Sequence, residues 1–197
     1  MILEVFASEN NEPLSEHDFN VLMKAAEEEK KQIILNQKIK SNADNSLIGI
    51  ALAKYALFKV FNVNVNALEI AYTQNGKPYP KISPNIHLSI SHSDKITVCA
   101  VSDSPVGIDV EKIRKFNNSM SEKIFGAEIT QMLCKSKTPN EDFTALWTEK
   151  EAILKLTGEG VSGIRKNINK SKYNTETLFY KNYCVTVATI KKALMAE

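Results

Sequence analysis

Apolar and polar positions along this chain follow two periods, and the changes between them mark out the elements. Ile2 to Phe6 alternates as a short strand does. From Leu14 to about Lys40 the spacing is helical, with Ser15 placed as the N-cap. Within it Glu27-Glu28-Glu29-Lys30-Lys31 reads as a solvated helix face. Asp44 or Asn45 is placed to cap a second helix over Leu47 to Phe61, which is rich enough in apolar residues to be buried. Asn75-Gly76-Lys77-Pro78-Tyr79-Pro80 then has turn composition.

Short strands follow. His87 to Ser91 alternates, with Leu88 and Ile90 on one face, and Ile96 to Val101 is rich in β-branched residues. Ser93-Asp94-Lys95 joins the two as a hairpin turn. Pro105 breaks the run before a further strand, Val106 to Val110. Asn117 to Lys137 carries a helical apolar stripe that includes Phe125 and Ile129. Thr138-Pro139-Asn140-Glu141 forms a capping-box sequence, so a helix is predicted from Pro139 to Thr157, stopped by Gly158. Tyr183 to Ile190 reads as a closing strand. The pattern mixes helices and strands, and the break at Pro105 is the candidate boundary between two halves, 1–105 and 106–197.

Composition narrows the classes. The chain has 197 residues, 43% of them apolar, enough for one domain or two small ones with a core. A net charge of +2 is too small to point to a nucleic-acid partner. Its 3 cysteines are odd in number and far apart, without zinc spacing, as expected of reduced thiols. Met1 to Ser8 lacks a signal-peptide pattern, and no run approaches the ~20 apolar residues of a membrane span. A soluble, cytoplasmic protein is therefore expected.

Two acidic clusters carry the candidate chemistry. In Gly107-Ile108-Asp109-Val110-Glu111, strand alternation puts Asp109 and Glu111 on one face. In Trp147-Thr148-Glu149-Lys150-Glu151 and on to Lys155, helical spacing aligns Trp147, Glu151 and Lys155. Each has a plainer reading: a strand end reaching solvent, and a surface ion pair worth about 0.3–0.5 kcal/mol. Together, hard carboxylates beside a lysine suit a divalent cation held against a phosphate. His92, after a strand, can donate to phosphate oxygen, and Lys77 on a proline-stiffened turn can act as a fixed cation. With only 3 histidines a His-rich metal site is not expected. No Gly-x-Ser-x-Gly elbow, Walker A or Gly-x-Gly-x-x-Gly pattern is present.

Four blocks in order resemble the surfactin-type (Sfp-type) 4′-phosphopantetheinyl transferases: Gly76-Lys77-Pro78-Tyr79, Leu88-Ser89-Ile90-Ser91-His92-Ser93, Val106 to Glu111, and Trp147 to Glu151 continuing to Lys155. The resemblance implies a pseudo-dimer of two similar α+β halves with coenzyme A in the cleft between them. It implies transfer of the phosphopantetheine arm to a serine of an acyl or peptidyl carrier protein, releasing adenosine 3′,5′-bisphosphate. Mg2+ or Mn2+ would be held by Asp109, Glu111 and Glu151. Glu151, Lys155 and Asp109 would be catalytic; Ser91 and Lys77 would hold the 3′-phosphate and adenosine end of coenzyme A, and His92, Lys155 and Lys30 would also contact it. Glu128 resembles a family acid beside the site. Asn45-Ser46 stands where family members often carry a basic residue before Ser or Thr.

The apolar stripe with Phe125 and Ile129 fits either carrier docking or core. The internal symmetry suggests a monomer. Two other functions use the same residues: a metal-dependent pyrophosphate hydrolase, or a non-catalytic module binding coenzyme A or a carrier domain.

Overall fold

The computed structural model describes residues 1–64, 68–160 and 163–191, so the end of the expected second half, 192–197, lies outside the described residues. The first strand, β1 (Leu3–Glu9), runs past its expected end. The helix expected over residues 14–40 is two helices, α1 (Glu16–Ala25) and α2 (Glu28–Leu35), with Ser15 Oγ capping the first at Asp18 N. No glycine or proline makes this break. Ala26 and Glu27 are extended because Ala26 is buried and the Glu27 carboxylate accepts from Ile70 N and pairs with Lys54. A tertiary contact overrides local helix propensity here.

The next helix, α3 (Lys40–Phe61), begins before either expected cap. Asp44 is buried inside it, paired with Lys40 and accepting from Leu14 N, and Asn45 Nδ2 donates to the Asp94 carbonyl. Both residues serve long-range bonds instead of capping. The turn-rich stretch closes a small hairpin of β2 (Ile70–Tyr72) and β3 (Pro78–Pro80). Then β4 (His87–Ser93) and β5 (Ile96–Ser102) form the expected hairpin, with Asp94 at φ 53° in the turn.

The strand after Pro105 is β6 (Val106–Lys112). The apolar stripe that follows is broken at Gly126, φ 86°, into α4 (Asn118–Phe125) and α5 (Ala127–Cys134). The long helix α6 (Pro139–Thr157) has Pro139 in its first turn and left-handed Gly158 at its end. Thr138 makes no capping bond through its side chain; Asn140 Oδ1 turns away to accept from Phe116 N. Two strands close the fold, β7 (Tyr173–Tyr180), which sequence patterning did not reveal, and β8 (Tyr183–Ile190).

The larger strands form two antiparallel sheets, ordered β1-β5-β4 and β6-β8-β7. Each carries a helix: α3 packs on β5 and β4, and α6 on β6 and β8. One core lies under α3, built on Ala56, Leu57, Leu88, Cys99 and Val101. A second joins the sheets, with Val98 and Ala100 of β5 against Val106, Ile108 and Val110 of β6. The architecture is α+β, a helix on a three-stranded sheet twice over. Among the described residues no helix is long and apolar enough to cross a membrane.

Candidate active site

Strand β4 lies beside β6, and its alternation aims Ser89, Ser91 and Ser93 across the junction. Ser89 Oγ accepts from Ile108 N at 3.0 Å and Ser93 Oγ from Lys112 N at 3.1 Å. The middle hydroxyl, Ser91 Oγ, donates to Asp109 Oδ1 at 2.8 Å. These side chains join the two sheets and set Asp109 at the seam.

Helix α6 reaches the same seam because Gly107 has no side chain. A Cβ there would lie 2.0 Å from the Ala152 carbonyl oxygen and 2.5 Å from Leu156 N. This close approach brings Lys155 Nζ to 2.7 Å from Asp109 Oδ1 and 2.6 Å from Ser91 Oγ. Lysine, serine and aspartate thus form a closed triangle. Asp109 is buried, and its other oxygen, Oδ2, has no hydrogen-bond partner among the described residues. Burial pushes the Asp109 carboxyl above its usual range, against the pull of Lys155 and Ser91, and Glu111 adds to the rise.

Glu111 shares the face of Asp109, as alternation predicts. Its Oε1 accepts from Trp147 Nε1 at 3.1 Å, and its Oε2 accepts from Ser93 Oγ at 3.0 Å and pairs with Arg114 at 2.6 Å. The Arg114 guanidinium lies 5.0 Å from the Trp147 ring centre, so the tryptophan and the arginine clamp one carboxylate. Arg114 was not picked out from sequence; its position just beyond a strand end gives no helical or strand pattern to find it by. Glu151 is half-buried one turn before Lys155. Burial and then Asp109 hold its carboxyl above the usual range, with Lys155 opposing.

The donor set suits a hard divalent cation. It consists of three carboxylates in mutual repulsion, two of them with raised proton affinity, and one buried oxygen without a partner. In the structure Lys155 and Arg114 supply the counter-charge. Among the described residues no three His, Cys, Asp or Glu side chains already converge on one point.

A cleft runs from this triangle along the edge of the first sheet. At the near end Gly76, Lys77, Pro78, Ser89, Ile90, Glu151 and Lys155 line it. The far end is lined by Lys30, Asn45, Ser46, Tyr72 and His92, and Gly76, Pro78 and Ile90 belong to both ends. Lys30 Nζ sits 4.7 Å from the Tyr72 ring centre. His92 is exposed on the wall; surrounding protein first, then Lys155 and Lys30, hold its imidazole below the usual value. The break between α1 and α2 matters here, since α2 carries Lys30 to the cleft.

Of the residues picked out from sequence, Asp109, Glu111, Glu151, Lys155, Ser91, His92 and Lys30 all face the seam or this cleft. Lys77 lines the cleft too, but its ammonium donates to the Leu156 carbonyl at 2.5 Å. Glu128 is exposed on α5 and makes no ion pair or hydrogen bond among the described residues. Phe125 packs edge-on against Phe143 at 6.1 Å, with Lys150 over its ring, whereas Ile129 is half-buried beside it.

With the site defined, comparison with known proteins identifies its class. Residues 12–104 match a family model described as 4′-phosphopantetheinyl transferase, N-terminal, and residues 105–188 one described as the 4′-phosphopantetheinyl transferase superfamily. The chain is 33% identical over 184 residues to the 4′-phosphopantetheinyl transferase gsp of Aneurinibacillus migulanus, covering 92% of this chain and 76% of that protein. It is 26% identical over 162 residues to the 4′-phosphopantetheinyl transferase Sfp of Bacillus subtilis (strain 168), covering 81% of this chain and 72% of that protein. A crystal structure of a holo-(acyl-carrier-protein) synthase from Bacillus anthracis str. Ames in complex with CoA (3′,5′-ADP) covers 50% of this chain and 91% of its own, at 25% identity and TM-score 0.41. The chain belongs to the 4′-phosphopantetheinyl transferase superfamily, in its Sfp-type branch, and is a transferase.

Proposed function

We propose that the cleft binds coenzyme A and that the enzyme moves its phosphopantetheine arm onto a serine of an acyl or peptidyl carrier protein. The serine oxygen forms the new bond to phosphorus, the pyrophosphate bond breaks, and adenosine 3′,5′-bisphosphate leaves. The observation that carries this function is the triangle of Lys155, Ser91 and buried Asp109 at the head of a cleft that also holds Lys30 and His92.

Asp109, Glu111 and Glu151 would hold Mg2+ or Mn2+, which supplies neutralising charge at the phosphate oxygens. Glu151 takes the proton of the carrier serine. Lys155 offers its ammonium to the pyrophosphate and then to the departing bisphosphate. Ser91 adds its hydroxyl to the direct Lys155–Asp109 pair, donating to the carboxylate and accepting from the ammonium. At the far end Lys30 and His92 hold the adenosine end and its 3′-phosphate.

The two matched models meet at residues 104 and 105, which supports reading the chain as halves 1–105 and 106–197 with the cleft between them. Each half has its own helix and sheet, which supports a monomeric pseudo-dimer. With Phe125 of α4 packed on Phe143, half-buried Ile129 and exposed Met132 are the large apolar side chains that α5 offers to a carrier.

Intact-mass spectrometry of an apo acyl carrier protein, incubated with the enzyme, coenzyme A and Mg2+, tests this function. A gain of one phosphopantetheine arm, abolished by chelator, is expected. No gain on any acyl or peptidyl carrier overturns it. Loss of coenzyme A without a carrier would favour hydrolysis instead.

A further inference from the structure

The turn between β2 and β3 belongs to the first half of the chain, yet its side chains end on the helix of the second. Lys77 Nζ donates to the Leu156 carbonyl at 2.5 Å, and Asn75 Nδ2 donates to the Gly158 carbonyl at 2.9 Å. The last turn of any helix leaves its carbonyls without intrahelical donors. Among the described residues the backbone closure at this end of α6 reaches Leu154, whose carbonyl accepts from Gly158 N at 2.9 Å and Glu159 N at 3.2 Å. Leu156 and Gly158 are served from across the cleft. A cation at this end also opposes the negative pole of the helix dipole.

The turn is itself stiff. Thr73 N donates to the Lys77 carbonyl at 2.9 Å, Gly76 N to the Thr73 carbonyl at 2.8 Å, and Lys77 N to Thr73 Oγ1 at 3.1 Å. Gly76 takes the left-handed φ of 82° that the turn requires, and Pro78 directly follows Lys77. The Lys77 stem lies over Gly158, where a Cβ would meet its Cδ at 3.6 Å. Lys155 is the residue immediately before Leu156, and its ammonium makes the triangle with Asp109 and Ser91.

We infer that Asn75 and Lys77 form a latch that caps α6 from across the cleft and so positions Lys155 for transfer. They are positioning residues, and Lys77 is not the grip on the 3′-phosphate. The inference builds on the transfer reaction proposed above, which serves as one of its two readouts.

The competing role for Lys77 is separated by substrate. Lys77→Met, Lys77→Arg and Asn75→Ala are assayed with coenzyme A and with 3′-dephospho-coenzyme A as donors. A latch predicts that Lys77→Met lowers kcat about tenfold with KM for the donor changed less than about twofold, the size expected from losing one charged hydrogen bond. The fall is the same with both donors. Lys77→Arg, which can still donate to carbonyl oxygen, recovers most of kcat. Asn75→Ala lowers kcat by a smaller factor, about threefold, without raising KM. A rise in KM for coenzyme A that disappears with 3′-dephospho-coenzyme A overturns the latch and assigns Lys77 to the phosphate.

Hydrogen exchange supplies the readout that needs no turnover. The amides from Lys155 to Gly158 are expected to exchange about tenfold faster in Lys77→Met than in the unsubstituted protein, with the second sheet unchanged. Unchanged exchange there overturns the latch. If the unsubstituted enzyme modifies no carrier, the transfer function has failed, and exchange alone then decides the latch.

Discussion

The two halves repeat one plan and differ in chemistry. In each, a long helix lies on a three-stranded antiparallel sheet: α3 on β1-β5-β4, α6 on β6-β8-β7. At the seam the first half offers hydroxyls, Ser89, Ser91 and Ser93, and the second offers acids, Asp109 and Glu111, with Lys155 above them. A hydroxyl both donates and accepts, so a strand of serines can serve backbone amides and carboxylates in turn. Charge is thereby concentrated on one side of the seam and held in place by neutral donors from the other. A plan that occurs twice makes a site where its two sheets differ in polarity, because each edge alone is only half of the arrangement.

The largest expected effect comes from erasing that polarity. Asp109→Asn keeps the shape of the side chain but removes the charge that Lys155 and Ser91 share. Turnover should fall about a thousandfold, about 4 kcal/mol of barrier, with the circular dichroism of the folded protein retained. The matching change on the first strand, Ser91→Ala, leaves the Lys155–Asp109 ion pair intact and should cost much less. Equal losses would mean that the two sides of the seam carry the chemistry in equal parts.

Next in size is the glycine on which the second helix rests. Gly107→Ala would press a methyl group into the backbone of α6 at Ala152 and Leu156, and a backbone cannot rotate out of the way. Overpacking typically costs about 1–3 kcal/mol, and a backbone obstacle belongs at about 3 kcal/mol or above. Urea denaturation measures it. Activity should fall further than stability, because α6 must move away from β6 and take Lys155 with it. A variant with normal stability and activity would remove the close helix approach as the reason for the triangle.

Protonation gives a smaller, directional contrast. Asp109 and Glu151 have carboxyls raised above their ordinary values of 3.8 and 4.5. A raised carboxyl favours folding while protonated, so its contribution is full below the ordinary range and is lost as pH rises through the raised value. Without divalent ions, the melting temperature should therefore gain from this site as pH falls from neutral toward the ordinary carboxylate range. Glu151→Gln should show less of that gain. In the first half Glu9 and Glu69 are lowered, by Lys181 and Lys81 in turn, and act in the opposite sense, losing their contribution only at more acid pH. Added Mg2+ should stabilise the enzyme more at neutral than at acid pH. An identical pH profile for Glu151→Gln would dissociate the site from the trend.

What sequence alone revealed divides along the same seam. Alternation was enough to put Asp109 and Glu111 on one face, and helical spacing to align Trp147, Glu151 and Lys155, because both depend only on local geometry. The β4–β5 hairpin was equally legible. The break between α1 and α2 was not, since it answers to Ile70 and Lys54, far along the chain. The same holds for Asp44 and Asn45, which look like caps and act as long-range ties. β7 escaped because its exposed residues, Leu178, Phe179 and Tyr180 in succession, do not alternate. Lys77 was legible as a cation on a stiff turn, but its partner, a carbonyl in the other half, leaves no trace in local sequence.

The smallest effect belongs to the other glycine, and it tests whether the two helices are held alike. Gly49 lies in α3, where a Cβ would meet the Ile90 Cγ2 methyl at 2.9 Å and that of Thr97 at 3.7 Å. The Thr97 contact is ordinary van der Waals distance, and the Ile90 methyl, though stiff on its β-branched carbon, belongs to a side chain that can shift where the α6 backbone cannot. Alanine also gains about 1 kcal/mol of helix propensity over glycine in a helix interior. The local clash and the propensity gain are of similar size and opposite sign, so Gly49→Ala should change stability by less than about 0.5 kcal/mol. Lys30 and His92, on neighbouring elements, should keep their places and KM for coenzyme A should hold. A loss as large as that for Gly107→Ala would mean that α3 is seated on its sheet as tightly as α6, and that the second half's close helix contact is a property of the repeated plan instead of a device of the acidic side.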